Sequence, residues 1–145
     1  MKILSISHSD YSGGASRAAY RIHEALRERN VDSLMQVTIS RKMDHSVLGA
    51  KSRWHSLYGL IRKELTHTGT DLLFDSKYNC SPAILPSGWH SFLNKSDADI
   101  IHLHWVNNEM ISIADLGKIQ KPIVWTLHDM WPFCGAEHYT TSNRW

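Results

Sequence analysis

Groups that can move a proton or bind an oxygen are concentrated near the end of the sequence, at the tip of a predicted strand. His128 and Asp129 are adjacent there, and Glu137 and His138 follow them. An imidazole at this place can donate a hydrogen bond to a bound oxygen, or change its charge near neutral pH. We expect Asp129 either to orient His128 or to cap the following turn. The alternative for His128 is a hydrogen-bonded place inside a turn.

A second pair of imidazoles, His102 and His104, lies two positions apart on another predicted strand. Residues at this spacing share one face of a strand. An H-x-H pair binds a metal only with a third ligand and an open position, which His128 or Glu137 would have to supply by folding. We predict no metal site. One histidine of the pair is expected to be packed and hydrogen-bonded, and the other to line a cleft.

Side chains suited to sugar recognition follow this second strand. Trp105 offers an aromatic face, and Asn107 and Asn108 offer amide groups that match the hydroxyls of a polar ring. The same residues would equally suit a capped turn between a strand and a helix. Both interpretations place them at the end of the strand.

A glycine pair connects the first predicted strand to a helix. The segment reads Ser12-Gly13-Gly14-Ala15, and Arg17 lies in the first helical turn. Paired glycines let the backbone approach a ligand closely, and a helix N-terminus favours an anion. The dinucleotide pattern G-x-G-x-x-G is absent. A tight turn without a ligand is the alternative.

Alternating strands and helices position these stretches. An apolar strand, an amphipathic helix that stops near Asn30 and a second strand form a βαβ unit. We therefore predict an α/β fold with a Rossmann-like parallel sheet flanked by helices. Ligands bind outside the carboxyl ends of such strands, so the three stretches should converge on one cleft. The predicted elements are strands Lys2–Ser7, Ser33–Ile39, Ala98–Trp105 and Pro122–His128 and helices Ala15–Arg29 and Ile111–Gln120.

The middle of the chain, Arg41–Asp97, is less regular. Helical spacing of apolar residues predicts a helix over Arg53–Thr66, followed by a loop over Thr68–Gly88. This helix is either an ordinary packed helix or a surface helix on an anionic membrane, with Trp54 and Tyr58 at the interface. Its positive charges, which the packed interpretation leaves solvated, are Lys51, Arg53, Arg62 and Lys63.

Composition narrows the class of protein. The chain has 145 residues and a net charge of +2, which fits one domain and gives no indication of nucleic-acid binding. Cys80 and Cys134 are too few for a disulfide framework and are expected to be free thiols. No stretch predicts a signal peptide or a membrane span. The expected location is the cytoplasm, with peripheral attachment to the inner membrane face as the alternative.

The aromatic residues of the last segment need a surface to pack against. They have little periodicity, so we expect the natural polypeptide or its assembly to continue beyond them, and the exposed end to favour association. These residues are Trp131, Phe133, Tyr139 and Trp145.

Three segments together resemble family 4 glycosyltransferases of the GT-B fold, most of all bacterial enzymes of polysaccharide assembly. They are the glycine-containing segment from Ser9 to Tyr20, the strand Asp99–Trp105 and the run from Lys121 to Phe133. The resemblance covers nearly the whole chain and is weaker over Arg41–Asp97. The last run is the most specific, since thirteen consecutive residues rarely match by chance.

The resemblance implies one half of a two-domain enzyme that transfers a sugar from a nucleotide-sugar donor, with retention, to a glycan or a lipid-linked acceptor. It implies no bound metal or other cofactor. Residues 1–145 would form the N-terminal, acceptor-side domain. The resemblance and the strand-end chemistry together assign His128 to catalysis, Gly13, Gly14, Arg17 and Asp129 to the donor, and His104, Trp105, Asn107 and His138 to the acceptor.

The sequence departs from the family pattern in two respects. The family segment W-P-F-T-G-G-C-H-Y has Cys134, Ala136 and Glu137 here in place of Thr, Gly and Cys. The donor domain with its E-x7-E motif is absent from the chain, so we expect the chain to be inactive alone. The alternatives are a subunit completed by a separate donor-binding chain and a non-catalytic module that binds a glycan or lipid.

Overall fold

The computed structural model describes residues 1–50, 53–73 and 80–139. They form one parallel sheet of five strands with helices packed around it, which confirms the predicted α/β Rossmann-like fold. The strands lie in the order β3-β2-β1-β4-β5. The elements along the chain are β1 Lys2–Ser9, α1 Gly13–Glu28, β2 Asp32–Ile39, β3 Val47–Leu48, α2 Arg53–Leu73, α3 Trp89–Lys95, β4 Ile100–Leu103, α4 Ile113–Leu116 and β5 Ile123–Trp125.

The first strand lies at the centre of the sheet, between β2 and β4. Its inner residues are buried on both faces, as expected for a strand covered by helices on either side. One core cluster forms around Leu4 and Ile6 with residues of β4 and the segment after it. A second forms where Ala19 and Tyr20 of α1 meet Met35 of β2. The core therefore has two parts, one built on β1 and β4 and the other between α1, β2 and β3.

The βαβ unit predicted from the sequence is present, with small shifts at its ends. Helix α1 begins at Gly13, two residues before the predicted start, and residue Asn30 after it has a left-handed backbone with φ of 59°. His23 ties the helix to the sheet edge, since its two ring nitrogens lie 2.8 Å from Ser33 Oγ and 2.9 Å from Ser46 Oγ. Asparagine tolerates a left-handed backbone better than most residues, which explains why α1 ends just before Asn30.

The irregular middle segment differs most from the prediction. Helix α2 continues to Leu73, so Thr68 and Gly69 are helical and the predicted loop was wrong there. Arg62 is 3% exposed, so the expectation of a solvated charge was also wrong for it. The helix α3 and the short strand β3 were not predicted. The positions of Lys51 and Trp145, and the side chains of Arg53 and Trp54, lie outside the described residues.

The later elements are present but shorter than predicted. Strand β4 covers Ile100–Leu103, α4 covers Ile113–Leu116 and β5 covers Ile123–Trp125. Strand β5 is an edge of the sheet, and its residues Ile123 and Val124 are 41% and 51% exposed instead of buried. Among the described residues, no helix has the length and apolar character needed to cross a membrane.

Candidate functional site

The tips of β1, β4 and β5 converge on one open cleft of about 700 Å³. They do so because parallel strands end at the same edge of a sheet, as the sequence predicted. Five residues assigned to the site from the sequence line it, namely Gly14, Trp105, His128, Asp129 and His138. Asn108 lines it as well, and the remaining walls are Ala15, Cys80, Ser81 and Tyr139.

Four of the residues assigned to the site do not line this cleft: Gly13, Arg17, His104 and Asn107. Arg17 Nε donates to the carbonyl of Gly13 at 3.2 Å and remains exposed on the side of α1. His104 and Asn107 are each 2% exposed and support the lining from behind. His104 contacts His128, and Asn107 donates to Asp129, so both are placed to position residues that line the cleft.

Three imidazoles form a row that begins in the interior with His102 and ends at the cleft with His128. The ring of His104 lies 4.1 Å from that of His102 and 5.4 Å from that of His128, centroid to centroid. His102 Nε2 lies 2.8 Å from Thr126 Oγ1. The expectation that one histidine of the H-x-H pair lines a cleft was wrong, because both are packed inward and His128 takes that place instead.

Burial keeps these imidazoles uncharged. The pKa of His104 is lowered to about 3, mainly by burial and also because a charge on His104 would be repelled by a charge on His102 or His128. Burial also lowers the pKa of His128, while the carboxylate of Asp129 partly opposes that shift. The imidazole at the cleft is therefore neutral at physiological pH, which suits a hydrogen-bond donor or acceptor to a bound hydroxyl.

The position of one proton follows from the contacts. His104 Nδ1 lies 3.1 Å from His128 Nε2, so one of these nitrogens donates to the other. His104 Nε2 is buried without a partner among the described residues. A bare lone pair there is less costly than an unpaired N–H, so the proton of His104 belongs on Nδ1. His128 Nε2 then accepts, and its Nδ1 carries a proton that is available to a ligand.

Asp129 organises the opposite wall. Its Oδ2 accepts hydrogen bonds from Trp105 Nε1 at 2.8 Å, Asn107 Nδ2 at 2.8 Å and His138 Nδ1 at 2.7 Å. Its Oδ1 accepts from the amide of Trp131 at 3.2 Å, as the capping interpretation predicted. The other interpretation, in which this carboxylate orients His128, was wrong. Asp129 instead fixes the indole and the second imidazole of the cleft.

A strap formed by residues 80–81 closes the far side of the cleft, and no pattern in the sequence indicated this contact. The amide of Ser81 donates to the carbonyl of Ala136 at 2.8 Å, and Ser81 Oγ lies 2.9 Å from His138 Nε2. Trp131 Nε1 donates to the carbonyl of Ser81 at 2.7 Å. Trp131 is consequently 3% exposed, so this terminal aromatic packs inside the chain, whereas Phe133 and Tyr139 remain exposed.

No metal-binding cluster of three or more histidine, cysteine or acidic side chains occurs within the described part of the chain. Cys80 and Cys134 are free thiols, and burial raises the pKa of Cys80. The cleft offers the neutral imidazole of His128, a second imidazole from His138, an indole, the carboxylate of Asp129, hydroxyl groups and glycine backbone. These groups can make hydrogen bonds to a polar ligand.

Gly13 and Gly14, which follow β1, leave the cleft open on that side. Gly13 has a φ of 80°, in the left-handed region that favours glycine. A Cβ at Gly14 would meet nothing within 4 Å, so there is free space above this residue. Ser12, at the start of α1, makes no side-chain capping hydrogen bond, so the first amides of the helix stay available.

Comparison with known proteins returned no match: no family model, no curated protein and no solved structure is similar to this chain at a significant level. The relation to family 4 glycosyltransferases therefore stays a prediction from the sequence motifs. The fold and the geometry of the cleft stand independently of it.

Proposed function

We propose that this chain is the acceptor-side lobe of a retaining glycosyltransferase of polysaccharide biosynthesis, acting in the cytoplasm. The observation that carries the proposal is the convergence of the three predicted strand tips on one polar cleft. That convergence was required by the sequence interpretation, and scattered tips would have contradicted it. The resemblance to GT-B enzymes supplies the reaction class.

Different residues of the cleft are suited to different parts of the ligands. Trp105 presents an indole edge and face held by Asp129, and His138 lies beside it with ring centroids 5.8 Å apart. His128 offers the Nδ1 proton assigned above to a hydroxyl near the reacting carbon. The open space at Gly14 and the uncapped start of α1 favour the diphosphate of a nucleotide-sugar, because a helix N-terminus attracts negative charge.

The cleft is open on one side, and a donor-binding lobe would complete it. Such a lobe lies on the same polypeptide or on a separate one, and it would supply the remaining contacts to the nucleotide. The chain alone is then expected to bind an acceptor sugar weakly and to hydrolyse no nucleotide-sugar. Donor hydrolysis by the isolated chain would contradict this part of the proposal.

The test measures sugar transfer by the assembly that contains the second lobe, with wild-type chain and with His128→Ala. Loss of a positioned acid or base typically reduces turnover by about a hundredfold or more, and we expect a loss of that order. His45→Ala is the matched control, since the His45 side chain is 87% exposed and remote from the cleft. Near-normal transfer by His128→Ala would remove this residue from the mechanism.

A second measurement separates an enzyme from a binding module. Titration of the isolated chain with oligosaccharides, followed by NMR, should shift the indole N–H signal of Trp105 and the ring signals of His128 and His138. Sugar binding without any donor effect in the complete assembly would favour the non-catalytic glycan-binding alternative. Unchanged signals at all three residues would contradict both.

A further inference from the structure

Ser81, His138 and Asp129 form a connected row in the wall of the cleft. Ser81 Oγ lies 2.9 Å from His138 Nε2, and His138 Nδ1 lies 2.7 Å from Asp129 Oδ2. The strap at residues 80–81 and the segment after β5 bring them together, and all three line the cleft. A hydroxyl, an imidazole and a carboxylate in this order are the parts of a nucleophilic serine, its base and the group that orients the base.

The carboxylate of Asp129 fixes the direction of these hydrogen bonds. A carboxylate only accepts, so His138 Nδ1 carries a proton and donates it to Oδ2. Asn107 Nδ2 also lies 3.2 Å from His138 Nδ1, but it donates to the same Oδ2 at 2.8 Å. In the neutral imidazole, Nε2 then bears a lone pair and accepts from the Ser81 hydroxyl. Ser81 Oγ therefore has a base in place to take its proton.

The backbone of Ser81 is held in place independently of its hydroxyl. Its amide donates to the carbonyl of Ala136 at 2.8 Å, and its carbonyl accepts from Trp131 Nε1 at 2.7 Å. The amide of Asn108 donates to Ser81 Oγ at 3.3 Å, which favours negative charge on this oxygen. The hydroxyl is thus positioned at its base before a ligand enters, as an efficient nucleophile requires.

A second set of the same residue types lies outside the cleft and provides a comparison. His90 Nδ1 lies 2.6 Å from Asp115 Oδ1, and Ser91 Oγ lies 3.1 Å from His90 Nε2. Ser91 is exposed on α3 and does not line the cleft. An ester meets Ser91 only by collision, whereas the cleft can hold an ester beside Ser81 and so favour its reaction.

The cleft also contains donors for the negative charge that develops when a serine attacks an ester. This charge appears on the carbonyl oxygen, and hydrogen-bond donors placed in advance stabilise it. Gly14 and Ala15 line the cleft at the start of α1, where Ser12 makes no side-chain capping hydrogen bond. His128 lines the cleft as well and carries the Nδ1 proton assigned above. Base, nucleophile and donors therefore share one space.

The lining limits the size of the acyl group. Ala15 is the largest aliphatic side chain among the described residues that line the cleft, and most of the others are polar or aromatic. A long hydrocarbon chain would gain little by leaving water for such a surface. A short acyl group such as acetyl suits it, and the polar groups suit an alcohol that carries further hydroxyls.

We propose that Ser81 is the nucleophile of an esterase reaction that removes short acyl groups from the hydroxyls of a polar ligand. Ser81 Oγ forms a bond to the carbonyl carbon while its proton passes to His138 Nε2. The bond from this carbon to the alcohol oxygen then breaks, and the leaving alcohol takes the proton from His138.

Water completes the reaction. Its oxygen attacks the carbonyl carbon of acyl-Ser81 while one of its protons passes to His138 Nε2, and the carboxylic acid leaves as Ser81 Oγ recovers that proton. Asp129 stabilises the imidazolium that forms in both steps. The esterase reaction goes beyond the proposed function, and only the identity of the polar ligand as a sugar rests on that function.

The test incubates the isolated chain with p-nitrophenyl acetate and measures the release of p-nitrophenolate. We expect hydrolysis by the wild type and a rate lower by about a hundredfold or more in Ser81→Ala and in His138→Gln, since each change removes the nucleophile or its base. Ser91→Ala is the matched control and should retain the wild-type rate. p-Nitrophenyl decanoate, below its micelle concentration, should be hydrolysed more slowly than the acetate.

A second measurement identifies the reacting atom. Phenylmethanesulfonyl fluoride sulfonylates an activated serine, because a bond from Oγ to sulfur forms as fluoride leaves, and peptide mass spectrometry locates the product. We expect the label on Ser81 and not on Ser91, and the mapping also distinguishes Ser81 from the Cys80 thiol in the same cleft. Near-UV circular dichroism verifies that Ser81→Ala is folded, since the backbone contacts of the strap remain.

Three outcomes would overturn the esterase proposal: absence of the label from Ser81, equal labelling of Ser81 and Ser91, and undiminished hydrolysis by folded Ser81→Ala. Faster hydrolysis of the decanoate would overturn the short acyl group. p-Nitrophenyl acetate contains no sugar and its assay needs no second lobe, so failure here leaves the glycosyltransferase proposal intact. Near-normal sugar transfer by His128→Ala would equally leave the role of Ser81 intact.

Discussion

Removal of the Asp129 carboxylate should destabilise the fold by an amount that follows from its contacts. In Asp129→Ala, three buried donors lose Oδ2 as their acceptor, namely Trp105 Nε1, Asn107 Nδ2 and His138 Nδ1. The amide of Trp131 also loses Oδ1. Asp129 is 8% exposed in its side chain, so water does not readily replace the lost oxygen. A buried donor left unpaired costs about 1–3 kcal/mol, and the three share one acceptor, so we expect a total loss of about 3 kcal/mol.

A conservative variant separates the acceptor from its charge. Asp129→Asn keeps an oxygen of the same shape that can still accept from the indole and from His138. It loses the charge-assisted part of these bonds, and its amide nitrogen cannot replace Oδ1 as the acceptor of the Trp131 amide. We therefore expect about 1–2 kcal/mol of destabilisation. The prediction therefore concerns the ratio of the two losses in free energy of unfolding as well as the size of the larger loss.

Urea unfolding followed by tryptophan fluorescence measures both free energies of unfolding. A loss of about 3 kcal/mol corresponds to a decrease of roughly 10 °C in the melting temperature for a domain of this size. The indole N–H signal of Trp105 should also move upfield in Asp129→Ala, because its hydrogen bond is gone. Asp97→Ala is the control, since Asp97 is 78% exposed and its ion pair with Lys2 lies at the surface, and the midpoint should change little.

The reasoning about Asp129 is refuted if Asp129→Ala unfolds at the wild-type urea concentration with the Trp105 signal in place. That result would mean that the three donors find other partners, and that the wall of the cleft is fixed by the strap at Ser81 instead.

Two further predictions follow from buried or strained single residues. The pKa of His104 is about 3 in the folded chain, against 6.5 for an unperturbed histidine. Below pH 6.5 the unfolded state therefore binds one more proton than the folded state, and the free energy of unfolding should fall as the pH decreases. Between pH 7.5 and 4 the urea midpoint should fall less for His104→Gln than for the wild type, and the same fall in both proteins would contradict this reasoning. Asn30→Ala should cost about 1 kcal/mol in unfolding free energy and Asn30→Gly less, since residue 30 has a φ of 59°; equal stability of the two variants would contradict this.

The fold could be predicted from the sequence where the residue pattern of each strand or helix agrees with its place in the sheet. Apolar strands, the periodicity of α1 and the stop at Asn30 are encoded within a few residues of each other, so the βαβ unit was predicted almost to its ends. The convergence of His128 and Trp105 followed from the general geometry of parallel sheets. Neither required knowledge of a distant contact.

The errors occur where a residue depends on partners far along the chain. Arg62 was expected in solvent because a charge usually is, but its partners are Leu85 and Glu109, which lie 23 and 47 positions away. Asp129 was expected to orient His128 because the two are adjacent. The chain bends at residues 128–130, after the end of β5, and the carboxylate faces Trp105 instead. Spacing in sequence cannot reveal either arrangement.

Asn108 lines both the cleft and a second cavity of about 290 Å³, and its backbone is left-handed, with φ of 59°. This shared wall has a consequence for any pair of ligands that occupies the two spaces. An occupant on one side that displaces this amide changes the free energy of occupancy on the other. Thermodynamic reciprocity then requires that each occupant alter the affinity for its neighbour by the same factor.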